Sequence, residues 1–199
     1  MKASIITIDS SSPQQPKVRE VSRILACGGI AAIPTETVFG LACDAANTEA
    51  LKKLYAIKNR PEEKPFTIQV ANIDKLLSYA GGINPHVEKI LKEFWPGPLT
   101  VIVNTVKGKE GFRIPDNKVT LSILSETGFP LAVTSANFSG TDVLCTVEEV
   151  VKSFGHLIDV IIDDGSSAGG VESTVLDCTV TPFKILRKGA IADRLKRYV

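Results

Sequence analysis

The sequence predicts a single α/β domain in which helices cover a mostly buried sheet. Three observations carry that reading. Short apolar and β-branched runs alternate with segments of helical period along the chain. Two of the runs, 30–34 and 131–134, are almost wholly apolar, the type buried on both faces. No linker-like, repeated or low-complexity stretch divides the 199 residues, so one domain spanning 1–199 is expected.

Residues 4–9 read as a strand and the Ser/Pro/Gln-rich stretch 10–16 as a loop. Residues 17–26 place Val18, Val21, Ile24 and Leu25 on one side of a helix that Gly28-Gly29 stops. Strand 30–34 follows, then a helix over 47–57 with Leu51, Leu54 and Tyr55 inward. Residues 66–70 form a strand, 73–79 and 85–94 helices, 99–104 a strand and 111–115 a further extended piece. After strand 131–134 come a helix over 147–154, strands over 158–162, 173–178 and 183–187, and a short closing helix over 191–197.

Composition is that of an ordinary globular chain, 44% hydrophobic and 23% charged. A net charge of +1 supplies no bulk field toward nucleic acid or membrane. The apolar stretch 5–8 is too short for a signal peptide, and nothing approaches the ~18 to 20 apolar residues of a membrane span. Cys27, Cys43, Cys145 and Cys178 are scattered, and His86 and His156 lack metal-ligand spacing. Reduced thiols, a cytoplasmic setting and no tightly held transition metal are expected.

Two segments share one form. Ile30-Ala31-Ala32-Ile33 runs into Pro34-Thr35-Glu36-Thr37-Val38-Phe39-Gly40, and Leu131-Ala132-Val133 into Thr134-Ser135-Ala136-Asn137-Phe138-Ser139-Gly140. Each is a buried strand ending in small hydrogen-bonding side chains, the place where α/β proteins hold polar ligands. The same residues also serve as ordinary turn caps. Lys58 and Arg60, two apart, would point to one side of an extended backbone and suit a polyphosphate. A basic helix end complementing the helix dipole explains them equally. The glycine-rich stretch 165–170 is a lid or a plain loop, and matches neither a GxxxxGK[ST] nor a GxGxxG signature. No Ser-His-Asp arrangement is available.

The ordered blocks Pro34-Thr35-Glu36-Thr37-Val38-Phe39-Gly40-Leu41, Lys58-Asn59-Arg60-Pro61, Lys64-Pro65-Phe66, Trp95-Pro96-Gly97-Pro98-Leu99-Thr100, Arg113-Ile114-Pro115-Asp116, Thr134 to Gly140, Glu172-Ser173-Thr174-Val175-Leu176-Asp177 and Leu186-Arg187-Lys188-Gly189-Ala190-Ile191 resemble the YrdC family of threonylcarbamoyl-AMP synthases. The resemblance covers residues 24–191 and is similar to the short form without an extra C-terminal domain. It implies a twisted mixed sheet with flanking helices around a central, positively charged cavity. It also implies that L-threonine, bicarbonate and ATP, with Mg²⁺ on the phosphates, give threonylcarbamoyl-adenylate and pyrophosphate. A separate transferase would then use that product to modify adenosine at position 37 of tRNA.

By resemblance, Lys58 and Arg60 act catalytically by neutralising the phosphates, Ser135 and Asn137 fix the nucleotide, and Arg187 adds a nucleotide contact. Thr35 and Ser173 line the substrate pocket, and Arg113 pairs with the threonine carboxylate or a phosphate. Gln69 stands where family members often carry histidine; glutamine hydrogen-bonds but cannot become cationic. That departure keeps open a paralogue with another acyl substrate. A non-catalytic double-stranded-RNA or tRNA-binding module is a further alternative, and a carbamoyl-adenylating domain like those of hydrogenase maturation proteins ranks third.

Overall fold

The structure, a computed structural model, describes residues 2–166 and 169–199. The glycine-rich stretch read as a lid or loop includes Ser167 and Ala168, which lie outside the described residues. The chain opens with β1 (Ser4–Thr7), α1 (Gln15–Ala26), β2 (Ala31–Ile33), β3 (Gly40–Asp44), α2 (Thr48–Lys58) and β4 (Thr67–Gln69). It continues through α3 (Ile73–Ala80), α4 (Pro85–Phe94), β5 (Leu99–Thr105), β6 (Gly108–Arg113), α5 (Lys118–Thr127) and β7 (Leu131–Ser135). It closes with α6 (Val147–Phe154), β8 (Val160–Asp163), β9 (Thr174–Asp177), β10 (Lys184–Arg187) and a 3₁₀ helix (Ala192–Tyr198).

The strands form one ten-stranded mixed sheet in the order β1-β8-β2-β3-β7-β4-β6-β5-β9-β10. β1 and β2 both run parallel to β8. β3, β7 and β4 then alternate antiparallel, β6 is parallel to β4, and β9 is parallel to β5. Side chains alternate between faces, as period two requires. Ala31, Ile33, Leu131 and Val133 face α1 and α5, whereas Ala32, Leu41, Cys43 and Ala132 face α2 and α6. The β1-to-β7 half is therefore covered on both sides, which explains its nearly continuous apolar strands.

The other half is covered on one side only. Leu99, Val101, Val103, Phe112 and Leu176 pack against Leu76 of α3, against α4 and against Leu195 of the closing helix. Their neighbours Thr100, Ile102, Gly111 and Val175 face the other way, onto an open face. The lone tryptophan, Trp95, is a core corner: it is buried and its Nε1 donates to Leu99 O at 2.7 Å.

Two elements escaped the sequence reading. β3 begins with glycine directly after a turn-like cluster and carries no clear strand signal, yet it pairs along its whole length with β7. α5 reads KVTLSILSET, dominated by residues of poor helix propensity. Asn117 caps it by accepting from Thr120 N at 2.9 Å, and Val119, Ile123 and Leu124 bury its inner face. Tertiary packing outweighs propensity here. Phe39 is core, 1% exposed. No helix among the described residues is long and apolar enough to cross a membrane.

Candidate functional site

A cleft with about 610 Å³ of space, open mouth included, lies on the open sheet face where the two halves meet. The carboxyl ends of β2 and β7 form one wall, the loop after α2 another, and β5, β9 and β10 the floor and far side. Thr35, Arg60, Gln69, Arg113, Ser135, Ser173 and Arg187 all line it. The cleft continues over the open face past Ile102, Lys109, Val175 and Leu186. Lys58 and Asn137 are not among the lining residues.

Lys58 is 2% exposed, and its Nζ donates to Ser135 O, Asn137 O and Asn137 Oδ1, each at 2.6 Å. The extended Lys58–Arg60 backbone expected from sequence is not what forms. Asn59 is left-handed, with φ 49°, and ends α2. Arg60 is consequently turned to the cleft, with Nε donating to Lys64 O at 2.8 Å and Nη2 to Pro65 O at 3.0 Å. Its guanidinium carbon lies 5.5 Å from the Phe66 ring centre. Ser135 lines the cleft and donates its hydroxyl proton to Asn137 Oδ1 at 2.8 Å, so it has only acceptor capacity left for a ligand.

The Thr35 hydroxyl is fully engaged in its own turn. It donates to Val38 O at 2.6 Å, lies 2.8 Å from Thr37 Oγ1, and accepts from the Thr37 and Val38 amides. Because its only proton goes to Val38 O, Thr37 must be the donor between the two hydroxyls. Thr35 therefore shapes the loop. Arg113, 6% exposed, reaches across the sheet to donate to Thr37 Oγ1 at 2.9 Å, and its Nε donates to Gly97 O at 3.2 Å. Its Nη2 also lies 2.7 Å from Glu36 Oε2, as an ion pair whose N–H directions miss the carboxylate. Burial lowers the Arg113 pKa and Glu36 opposes the shift. Among the described residues, Gln69 Oε1 is buried without a partner. No protein acceptor takes the protons of Arg60 Nη1 or Arg113 Nη1 among those residues.

Arg187 organises the far wall. It donates to Glu172 Oε1 at 2.7 Å, Ser173 O at 3.1 Å and Ser173 Oγ at 3.0 Å. Ser173 Oγ lies 2.9 Å from Thr100 Oγ1. Arginine only donates, so one hydroxyl proton of that pair is left over for the cleft. The turn at Gly189 presses on the same wall: a Cβ there would overlap Glu172 O and Ser173 C and O. Gly189→Ala should lower stability by about 1–3 kcal/mol through overpacking. A denaturant melt checks this; an unchanged midpoint would show that the wall yields freely.

Sequence reasoning missed Glu36, Thr37, Thr100 and Glu172 as site members, although all lie in the quoted blocks. Glu36 and Thr37 follow Thr35 directly and Glu172 precedes Ser173, which is a signal in the sequence; Thr100, on a strand without a candidate residue, has none. Among the described residues no cluster of three His, Cys, Asp or Glu could hold a metal. All four cysteines are free. Burial and a neighbouring aspartate push the Cys43 and Cys178 thiols up to about 12, so neither is a poised nucleophile.

Residues 23–189 match the Sua5/YciO/YrdC family, described as telomere recombination. The chain belongs to this family. Its Bacillus subtilis relative, a threonylcarbamoyl-AMP synthase, is 35% identical over 194 residues, which cover 92% of this chain and 56% of that protein. The chain of this Sua5/YciO/YrdC member spans about half the length of its B. subtilis, Pyrococcus abyssi and Schizosaccharomyces pombe relatives, 56%, 54% and 48%. The structure of P. abyssi Sua5 complexed with L-threonine superposes with a TM-score of 0.91 at 31% identity, covering 96% of this chain and 60% of that one. Escherichia coli YciO, at 23% identity and a TM-score of 0.90, covers 99% of this chain and 100% of its own, and shares the fold.

Proposed function

We propose that this protein joins L-threonine, bicarbonate and ATP into threonylcarbamoyl-adenylate and releases pyrophosphate. The observation that carries the reading is the cleft with Arg60, Arg113 and Arg187 on its walls, two of them with unassigned N–H groups. Guanidiniums in a concave, partly dry site fit phosphates and carboxylates as forks. The relatives' names and the threonine complex of P. abyssi Sua5 supply the reaction class.

In this reading threonine's amine takes up bicarbonate as a carbamate with loss of water. A carbamate oxygen then bonds to the α-phosphorus as the bond to the bridging oxygen of pyrophosphate breaks. Positioning and charge compensation drive such a transfer, with no demand for a base triad. Arg60 and Arg187 compensate the phosphates, Ser135 accepts from the nucleotide, and Arg113 with Ser173 holds the amino acid's carboxylate. Gln69, with an acceptor lacking a partner among the described residues, faces the amino acid. Mg²⁺ would enter with the nucleotide and add charge compensation there, since Glu36 and Glu172 are already paired with arginines. A separate transferase would carry the product to tRNA.

The test is pyrophosphate release from ATP with Mg²⁺, bicarbonate and threonine, serine or no amino acid. Release should need both threonine and bicarbonate. Release that prefers another amino acid would assign a different acyl substrate, and none from folded protein would end the synthase reading.

A further inference from the structure

The sequence spacing suggests that Lys58 faces phosphate, yet its ammonium is committed elsewhere. It has three protons and no lone pair, and all three go to Ser135 O, Asn137 O and Asn137 Oδ1. The main chain repeats the tie, with Ser139 N and Ser139 Oγ donating to Lys58 O at 3.1 and 3.0 Å. One residue at the end of α2 is thus bonded to residues 135, 137 and 139 of the 135–139 segment. Two residues on, past the left-handed Asn59, Arg60 enters the cleft on fixed carbonyls.

We propose that Lys58 is a positioning residue that binds no phosphate itself and sets Arg60 and the 135–139 loop as two sides of one polyphosphate seat. The inference rests on the nucleotide reading above. Reaching a phosphate would break three charge-assisted bonds at once; Ser135 O and Asn137 Oδ1 would keep Asn137 N and Ser135 Oγ as donors, but Asn137 O would have none among the described residues. The charged groups acting on Lys58 are Arg60 and Glu172. Burial first, then Arg60, brings its pKa down to about 8 against the opposing pull of Glu172. At pH 7 it therefore keeps the three-proton form that the tie requires.

The experiment is calorimetric binding of tripolyphosphate at pH 7 to wild type, Lys58→Met, Asn137→Ala and the double variant. Each single change should weaken binding about tenfold or more, as loss of charge-assisted hydrogen bonds predicts. The double variant should be no weaker than the weaker single one, because both break the same tie. Fold-changes that multiply would overturn the proposal. In ligand-free protein, Lys58→Met should speed amide exchange at Asn137 and Ser139 and leave β2 unchanged; unchanged protection of that loop would overturn it too.

If Lys58→Met does not fold, Ser139→Ala, which removes only the hydroxyl tie, carries the same pair of measurements. Weaker tripolyphosphate binding with faster loop exchange is expected, and no change in either would overturn the proposal. The probe contains no amino acid, so binding with the predicted coupling supports Lys58's role even if threonine-dependent turnover is absent. No binding to wild type would remove both readings.

Discussion

Replacing Arg113 by methionine should lower folding stability by about 3–5 kcal/mol, the usual penalty for breaking one side of a buried ion pair. Arg113 is 6% exposed, and its guanidinium lies 2.7 Å from Glu36 Oε2. Both Glu36 oxygens are buried, and among the described residues neither accepts an aligned hydrogen bond. The guanidinium is thus the compensation for that carboxylate, and removing it strands a charge on buried oxygens. Adding Glu36→Gln to Arg113→Met should return most of the loss, since a neutral amide needs no counter-ion. Denaturant midpoints of wild type, the two single variants and the double variant measure the coupling. A loss below about 1 kcal/mol for Arg113→Met would show that Glu36 is relieved by water or a proton.

Arg187→Ala should lower kcat/KM for pyrophosphate release by about 10²- to 10³-fold, the scale for loss of a preorganised charged donor. The side chain does two things at once. It presents a cation to the cleft, and it fixes Ser173, whose hydroxyl proton budget with Thr100 depends on that donation. Arg187→Lys keeps the charge but not the fork that reaches Glu172 and Ser173 together. It should recover only part of the lost rate. Steady-state kinetics beside a thermal melt separates this from unfolding, because Arg187 is half exposed and its loss leaves no core cavity. Activity within about threefold of wild type in Arg187→Ala would remove it from the nucleotide's surroundings.

The legible parts of the fold were those set by local pattern. The apolar runs around Ala31–Ile33 and Leu131–Ser135 announced strands covered on both faces, and Val147–Phe154 matched its helix end to end. α5 was hidden because its Thr, Ser, Val and Ile content argues against a helix until the packed partner is known. The site divided along the same line. Motif blocks located the arginines and small hydroxyls, but the pairs that define their roles are distant in sequence. Arg113 meets Thr37 across 76 residues, and Thr100 meets Ser173 across 73. The saturation of the Thr35 hydroxyl and the inward commitment of Lys58 depend on backbone carbonyls, which leave no trace in residue identity.

β4 is three residues long, yet within the sheet it alone joins the half covered on both sides to the half covered on one. Three register pairs hold it to β7 and two to β6. Any bending between the two halves therefore passes through Thr67, Ile68 and Gln69, of which Thr67 and Gln69 line the cleft. A molecule gripping Ser135 on one side and Arg187 on the other would span that narrow joint as a strut. Such a molecule would brace the sheet at the junction of its two halves, so an occupied cleft should resist shear between them better than an empty one.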